Sequence, residues 1–153
     1  MKKAILVFTF LVVLVNTRIT GQDIGYLRTN FDKTVHDKQL CRSLIDGLTD
    51  RREGGVYKAY LGAFQTIWAN HTGNPFAKLS TFYKGKNNIE EAVKSDPQSV
   101  EIRILRLSVQ KNCPGFLGYK GAIKEDTGFL AENINSIASP DLLKLAVLVL
   151  NAK

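Results

Sequence analysis

The sequence predicts an all-α protein of about six or seven helices stacked as antiparallel pairs. Apolar residues recur at steps of three and four along most of the chain, the spacing of one face of a helix. Glycine, proline and helix-capping residues punctuate that pattern at regular intervals. No stretch shows sustained alternation of apolar and polar residues between hairpin turns, which argues against a sheet.

The chain opens with Lys2 and Lys3, then an apolar run from Ala4 to Val15 broken only by Thr9, then a polar stretch ending at Gly21-Gln22. That is the layout of a secretory signal. A membrane-spanning helix needs about 20 apolar residues, and this run falls short. Residues 1–22 are therefore expected to be removed, leaving 23–153 as a single helical domain in a periplasmic or secreted location. No cysteine stands where a lipoprotein anchor would attach, so no stable membrane anchor is expected after cleavage. Loss of Lys2, Lys3 and Arg18 lowers the formal net charge from +7 to +4. A charge this small and this spread out does not point to nucleic acid.

Ile24, Leu27, Phe31 and Val35 place one helix over 23–35, and Leu40, Cys41, Leu44, Ile45 and Leu48 a second over 37–48, the two forming a hairpin. A charged loop, 49–55, ends in Gly54-Gly55. The third helix, 56–71, carries Tyr57, Tyr60, Phe64 and Trp68, an aromatic stripe of the kind that usually builds a core. Thr72-Gly73-Asn74-Pro75 breaks the chain, with Gly ending one helix and Pro opening the next. The fourth helix, 76–95, presents Phe76, Leu79, Phe82, Ile89, Ala92 and Val93. Gly85 in its middle costs about 1 kcal/mol against alanine and is the kind of residue that lets a neighbouring helix approach closely. Asp96-Pro97 stops it. Ser99 caps a fifth helix, 100–111. After the loop 112–118, a sixth helix, 119–137, is interrupted by Gly121 and Gly128. Ser139-Pro140 opens the last, whose run from Leu142 to Leu150 is apolar except for Lys144 and reads as a buried closing helix.

Leu61-Gly62, Ala92 and the terminal Asp96-Pro97 resemble the marks of a tetratricopeptide helix pair, and Ile102, Leu105 and Val109 fit the first helix of a following unit. The resemblance implies a right-handed array of helix pairs. The span from Leu61 to Pro97 exceeds the standard repeat, the usual small residue of the second helix falls on Gly85, and residues 23–50 do not carry the pattern. The stretches from Lys84 to Val93, Glu101 to Gln110 and Gly115 to Tyr119 also resemble an exported bacterial family of unassigned function. That resemblance implies a location outside the cytoplasm and no activity.

The fifth helix holds the densest chemistry. With about 100° between successive residues, Arg103, Arg106 and Gln110 fall in one stripe about 60° wide. Glu101 and Ser108 form a second polar stripe, and the remaining positions from Val100 to Val109 are apolar, so the helix is expected to touch neighbours on two faces. Two arginines there need partners. Either they pair with carboxylates such as Glu90, Glu91 or Asp126, or they line a groove for an acidic group, with Lys86, Trp68 and Tyr119 beside them. Buried charges are usually paired, which favours the first.

The sequence carries no recognisable motif for catalysis or cofactor binding. Gly85-Lys86 lacks the upstream glycine of a phosphate-binding loop, and Gly115, Gly118 and Gly121 follow no predicted strand. His36 and His71 stand apart from any ligand-spaced cluster. Glu90-Glu91 and Glu125-Asp126 read as solvated pairs. Cys113 with His71 is the one conceivable nucleophile pair. Cys41 and Cys113 either form a disulfide or remain buried thiols. Asn70-His71-Thr72 is a glycosylation sequon, relevant only in a host that uses it. The expected function is a non-enzymatic binding or scaffold module with no cofactor, whose partner is a protein. The alternative is a binder of a small anionic ligand through Arg103 and Arg106, and the third reading is a hydrolase with an unfamiliar site.

Overall fold

The computed structural model describes residues 23–51 and 54–152; the expected signal segment, 1–22, lies outside the described residues. The described chain is all-helical. Its elements are α1 (Ile24–Asn30), α2 (Lys38–Thr49), α3 (Val56–His71), α4 (Pro75–Ser95), α5 (Val100–Asn112), α6 (Ile123–Asn133) and α7 (Pro140–Asn151). Short 3₁₀ turns sit at Asp32–Val35, Gly115–Leu117 and Ile134–Ser136.

Local chemistry explains the helix starts. Asp37 accepts from the Leu40 N–H at 2.8 Å, and Asn74 from the N–H groups of Phe76 and Ala77 at 2.9 and 3.1 Å, with Pro75 next in the chain. Ser99 and Ser139 cap α5 and α7 in the same way. Each cap satisfies donors that the first helical turn leaves unpaired. At the other end of α7 the Lys111 ammonium donates to the carbonyls of Val149, Leu150 and Ala152, tying α5 to the negative end of the last helix.

The α3 and α4 helices form the tightest pair. Lys58 meets Glu91 and Asn88 donates to Gln65 at 2.8 Å, so the two run antiparallel. Their axes cross at Gly62 and Gly85, where each glycine faces the other's backbone. The second pair is α5 and α6: Arg106 meets Asp126 while the earlier Arg103 meets the ring of the later Phe129. The α5 helix also packs on α3, α4 and α7. Its burial on nearly all sides matches its composition.

Four expectations need correction. The first helix is shorter than the periodicity suggests, because the chain tightens at Phe31 into a 3₁₀ turn in which the Thr34 hydroxyl donates to the Phe31 carbonyl at 2.6 Å. The hairpin of the first two helices does not form as a packed pair; α1 lies on α7, and α2 lies on α3. The sixth helix begins only at Ile123, since Gly118 takes a left-handed conformation at φ 62° and closes the preceding turn. The last helix is buried on one face alone: Leu142, Leu145, Ala146 and Val149 enter the core, whereas Leu143, Val147 and Leu148 are exposed.

The core is one contiguous set of side chains drawn from every helix. Tyr60 and Phe64 of the aromatic stripe are fully enclosed and form a three-ring cluster with Phe31, centroids 5.7–6.1 Å apart. Trp68, on the same stripe, is only half-buried. It lies outside that cluster, flanked by Lys38 and Arg42 of α2.

Candidate functional site

The α5 helix carries charge into the interior on two opposite sides. On one side Glu101 is gripped by Arg28 of α1, whose Nε and Nη2 donate at 2.8 and 2.5 Å, and it accepts from the Tyr60 hydroxyl at 2.8 Å. Burial and the neighbouring carboxylate push the Tyr60 phenol well above its usual range, so it stays a neutral donor. This cluster joins α1, α3 and α5.

On the other side Asp126 of α6 is fully enclosed, at 0% exposure, between both arginines. Arg106 binds it in a fork, Nε to Oδ2 and Nη2 to Oδ1, both 2.7 Å. Arg103 Nη1 reaches the same Oδ1 at 2.7 Å and also pairs with Glu125, while its Nε donates to the Pro97 carbonyl at 3.0 Å. Arg106 Nη1 lies 3.4 Å from Glu90, whose other oxygen accepts from the Tyr119 hydroxyl at 2.6 Å. Burial works against the Arg106 charge, but the hydrogen bonds and field of Asp126 outweigh it and hold the guanidinium above its ordinary pKa. The hydrogen bond from Arg103 lowers the pKa of Glu125.

Three carboxylates thus face two guanidinium groups. The local balance is negative, and the donors are already engaged with good geometry. An incoming anion would have to displace a carboxylate and meet the remaining ones, so the cluster is built as a lock among α4, α5 and α6. Of the carboxylates expected as partners, Glu90 and Asp126 take that role, whereas Glu91 turns to Lys58 on α3.

The six residues singled out in the sequence are only partly brought together. Arg103, Arg106 and Tyr119 meet around Glu90 and Asp126, and the Lys86 ammonium stands 5.1 Å from the centroid of the Tyr119 ring. Gln110 is on the same stripe, 2% exposed, and its Oε1 is buried without a hydrogen-bond partner among the described residues. Trp68 takes no part, since its flank is occupied by α2. An unpaired buried acceptor costs about 1–3 kcal/mol, so Gln110→Met, close in volume, is expected to leave the melting midpoint unchanged or raise it by a few degrees. A clear drop in a thermal melt would show that Gln110 has a structural partner after all.

The cysteines are free and buried. Cys41 faces the Phe64 carbonyl at 3.5 Å, and burial pushes its thiol up to about 12. Cys113 sits against the carbonyls of Gln110 and Tyr119, and burial raises its thiol as well. His71 is directed to the Thr34 carbonyl at 2.8 Å, not to Cys113. A neutral, enclosed thiol is a poor nucleophile. Ellman's reagent is therefore expected to label neither cysteine in the native domain and both after unfolding in guanidinium; absence of thiol in the unfolded chain would reveal a disulfide instead.

Among the described residues no group of three or more His, Cys, Asp or Glu could hold a metal ion, and no helix is long and apolar enough to cross a membrane. A shallow cleft of about 200 Å³ lies between α1 and α7, lined by Arg28, Thr29, Asp32, Lys33, Asp141 and Lys144. Its charges are mixed, and the Arg28 guanidinium is committed to Glu101. The feature missed in the sequence is apolar. Phe76, Leu79 and Tyr83 lie along the outer edge of α4 instead of in the core, and Phe116 projects from the turn before Tyr119; Phe76 and Phe116 are 87% and 82% exposed. No family model, no curated relative and no solved structure matches the chain.

Proposed function

We propose that the protein is a non-enzymatic binding module that works outside the cytoplasm, built on tetratricopeptide-like helix pairs. The observation that carries this reading is the line of Phe76, Leu79 and Tyr83 on the outer edge of α4. Large apolar side chains scattered singly on a surface need no explanation, but a run at helical spacing is a contact surface in waiting. The α3–α4 and α5–α6 pairs support the stacked-pair reading, and the N-terminal segment supports export. The ion cluster on α5 favours this reading over a small-anion site at Arg103 and Arg106, because an anion would find those donors engaged.

Two experiments test the reading. The full chain, expressed in a bacterial host with a C-terminal tag, is expected to be recovered from the periplasm or medium with a new N-terminus near Asp23; a chain retained in the cytoplasm with Met1 intact contradicts export. A photo-crosslinking side chain placed at position 76 is expected to give discrete protein or lipid adducts in cells, and one at Glu132, an exposed polar position, is not. Equal yields at both sites would remove the claim that α4 presents a contact surface.

A further inference from the structure

We infer that the outer edge of α4 and the turn around Phe116 form a reversible docking surface for anionic lipid. This inference rests on the binding-module reading and names the partner of its surface. The α4 line and the turn adjoin in space. The Tyr119 ring packs edge-on against Phe82 at 6.1 Å, and the Lys86 ammonium lies over both Tyr83 and Tyr119, at 5.8 and 5.1 Å from their centroids. Phe116 is three residues before Tyr119 in the same turn. The two most exposed phenylalanines of the described chain therefore stand on segments that meet through the buried rings of Phe82 and Tyr119.

Basic side chains outnumber acidic ones around this edge, where Glu90 accepts from the Tyr119 hydroxyl at 2.6 Å. Residues 75–86 carry Lys78, Lys84 and Lys86 and no acidic side chain; residues 111–124 carry Lys111, Lys120 and Lys124 and again none. Lys111 is spent on the end of α7. Among the described residues Lys78, Lys84, Lys120 and Lys124 enter no ion pair, in contrast to the arginines of α5, whose charge is more than matched. The complement of such a surface is negative and able to receive an aromatic ring. An anionic bilayer offers both: headgroup phosphates for the lysines and an acyl boundary for the rings, with the long lysine stems bridging the two zones. An acidic polypeptide would match the charge, but Phe76 and Phe116 project at a helix start and a turn instead of lining a groove that would hold a chain. Such docking is peripheral and involves no spanning helix.

The test is cosedimentation of the domain from Asp23 onward, whose core lies within those residues, with lipid vesicles. The domain is expected to sediment with vesicles of equal parts phosphatidylglycerol and phosphatidylcholine and to stay in solution with phosphatidylcholine alone. Phe76→Ser and Phe116→Ser should each lower the partition coefficient about tenfold, and Lys84→Glu severalfold. Leu143→Ser, on the exposed face of α7, should leave it unchanged. The phenylalanines are solvent-facing, so equal melting midpoints verify that the variants remain folded. Failure to sediment with the anionic vesicles overturns the inference. So does sedimentation insensitive to both phenylalanine substitutions, which would be charge adsorption alone. Phenylalanine-dependent binding to polyglutamate in preference to vesicles would assign the surface to an acidic protein. If vesicles fail while position 76 crosslinks to a protein in cells, the lipid assignment falls and the binding module stands; if both fail, both fall.

Discussion

Replacing Gly62 or Gly85 by alanine is expected to destabilise the domain by about 2–3 kcal/mol, although alanine is the better helix former by about 1 kcal/mol. A Cβ on Gly62 would stand 2.5 Å from the Gly85 carbonyl oxygen and 2.8 Å from Ile89 Cγ1. One on Gly85 would overlap the Gly62 carbonyl and come within 2.8 and 2.9 Å of Thr66 Cγ2 and N. Those neighbours are largely backbone and cannot rotate aside, so the two helices must separate along the most closely packed pair of the fold. Once separated, they accommodate the second methyl with little further loss, and the double variant should cost less than the sum of the singles. Gly128 supplies the contrast. It also lies inside a helix, but a Cβ there meets nothing within 4 Å. Gly128→Ala is therefore expected to stabilise by up to about 1 kcal/mol. Chemical denaturation of the four variants checks the pattern; destabilisation of similar size at all three sites would mean that packing at the α3–α4 crossing is not the cause.

The second large effect is expected at Asp126. Removing its carboxylate in Asp126→Ala leaves Arg103 and Arg106 buried side by side, with only the rim carboxylates Glu90 and Glu125 to answer them. Breaking a buried ion cluster from one side costs about 3–5 kcal/mol, a drop of roughly 10–20 °C in the melting midpoint for a domain of this size. Because α6 reaches the core through few apolar side chains, chiefly Leu130, its amides should lose hydrogen-exchange protection before those of α3 and α4. Uniform loss of protection over the whole chain would show that Asp126 holds more than α6.

The fold class was legible because helix periodicity is local. The α3, α4, α5 and α7 boundaries follow from caps and prolines that lie within a few residues of the ends they determine: Asn74-Pro75, Ser99 and Ser139-Pro140. Gly85 was legible as a close-approach residue, while its counterpart Gly62 was visible only as part of a Leu-Gly resemblance. The α1–α2 pairing was not legible, since helices adjacent in sequence need not pack together; α1 is drawn away by a contact of Arg28 with Glu101, 73 residues distant. The arginine stripe on α5 was plain from the helical wheel, and Asp126 was among its expected partners. What could not be read was that Glu125 and Asp126, adjacent in the chain, would behave differently, one half-open to solvent and one sealed. Phe76 reads in the sequence as one of the apolar residues of the fourth helix, and a helical wheel marks a face without saying where along the helix the neighbour ends. Its exposure at the first turn of α4 is a tertiary fact.

The most direct test of the claim that Arg103 and Arg106 serve the fold is a double-mutant cycle between Arg106 and Asp126, read by equilibrium denaturation of wild type, Arg106→Met, Asp126→Ala and the double variant. Both singles are expected to lose stability, and the double to lose less than their sum by about 1–3 kcal/mol, the signature of a direct partnership. A neutral or stabilising Arg106→Met, with losses that simply add, would contradict it and return the arginine stripe to the search for a ligand.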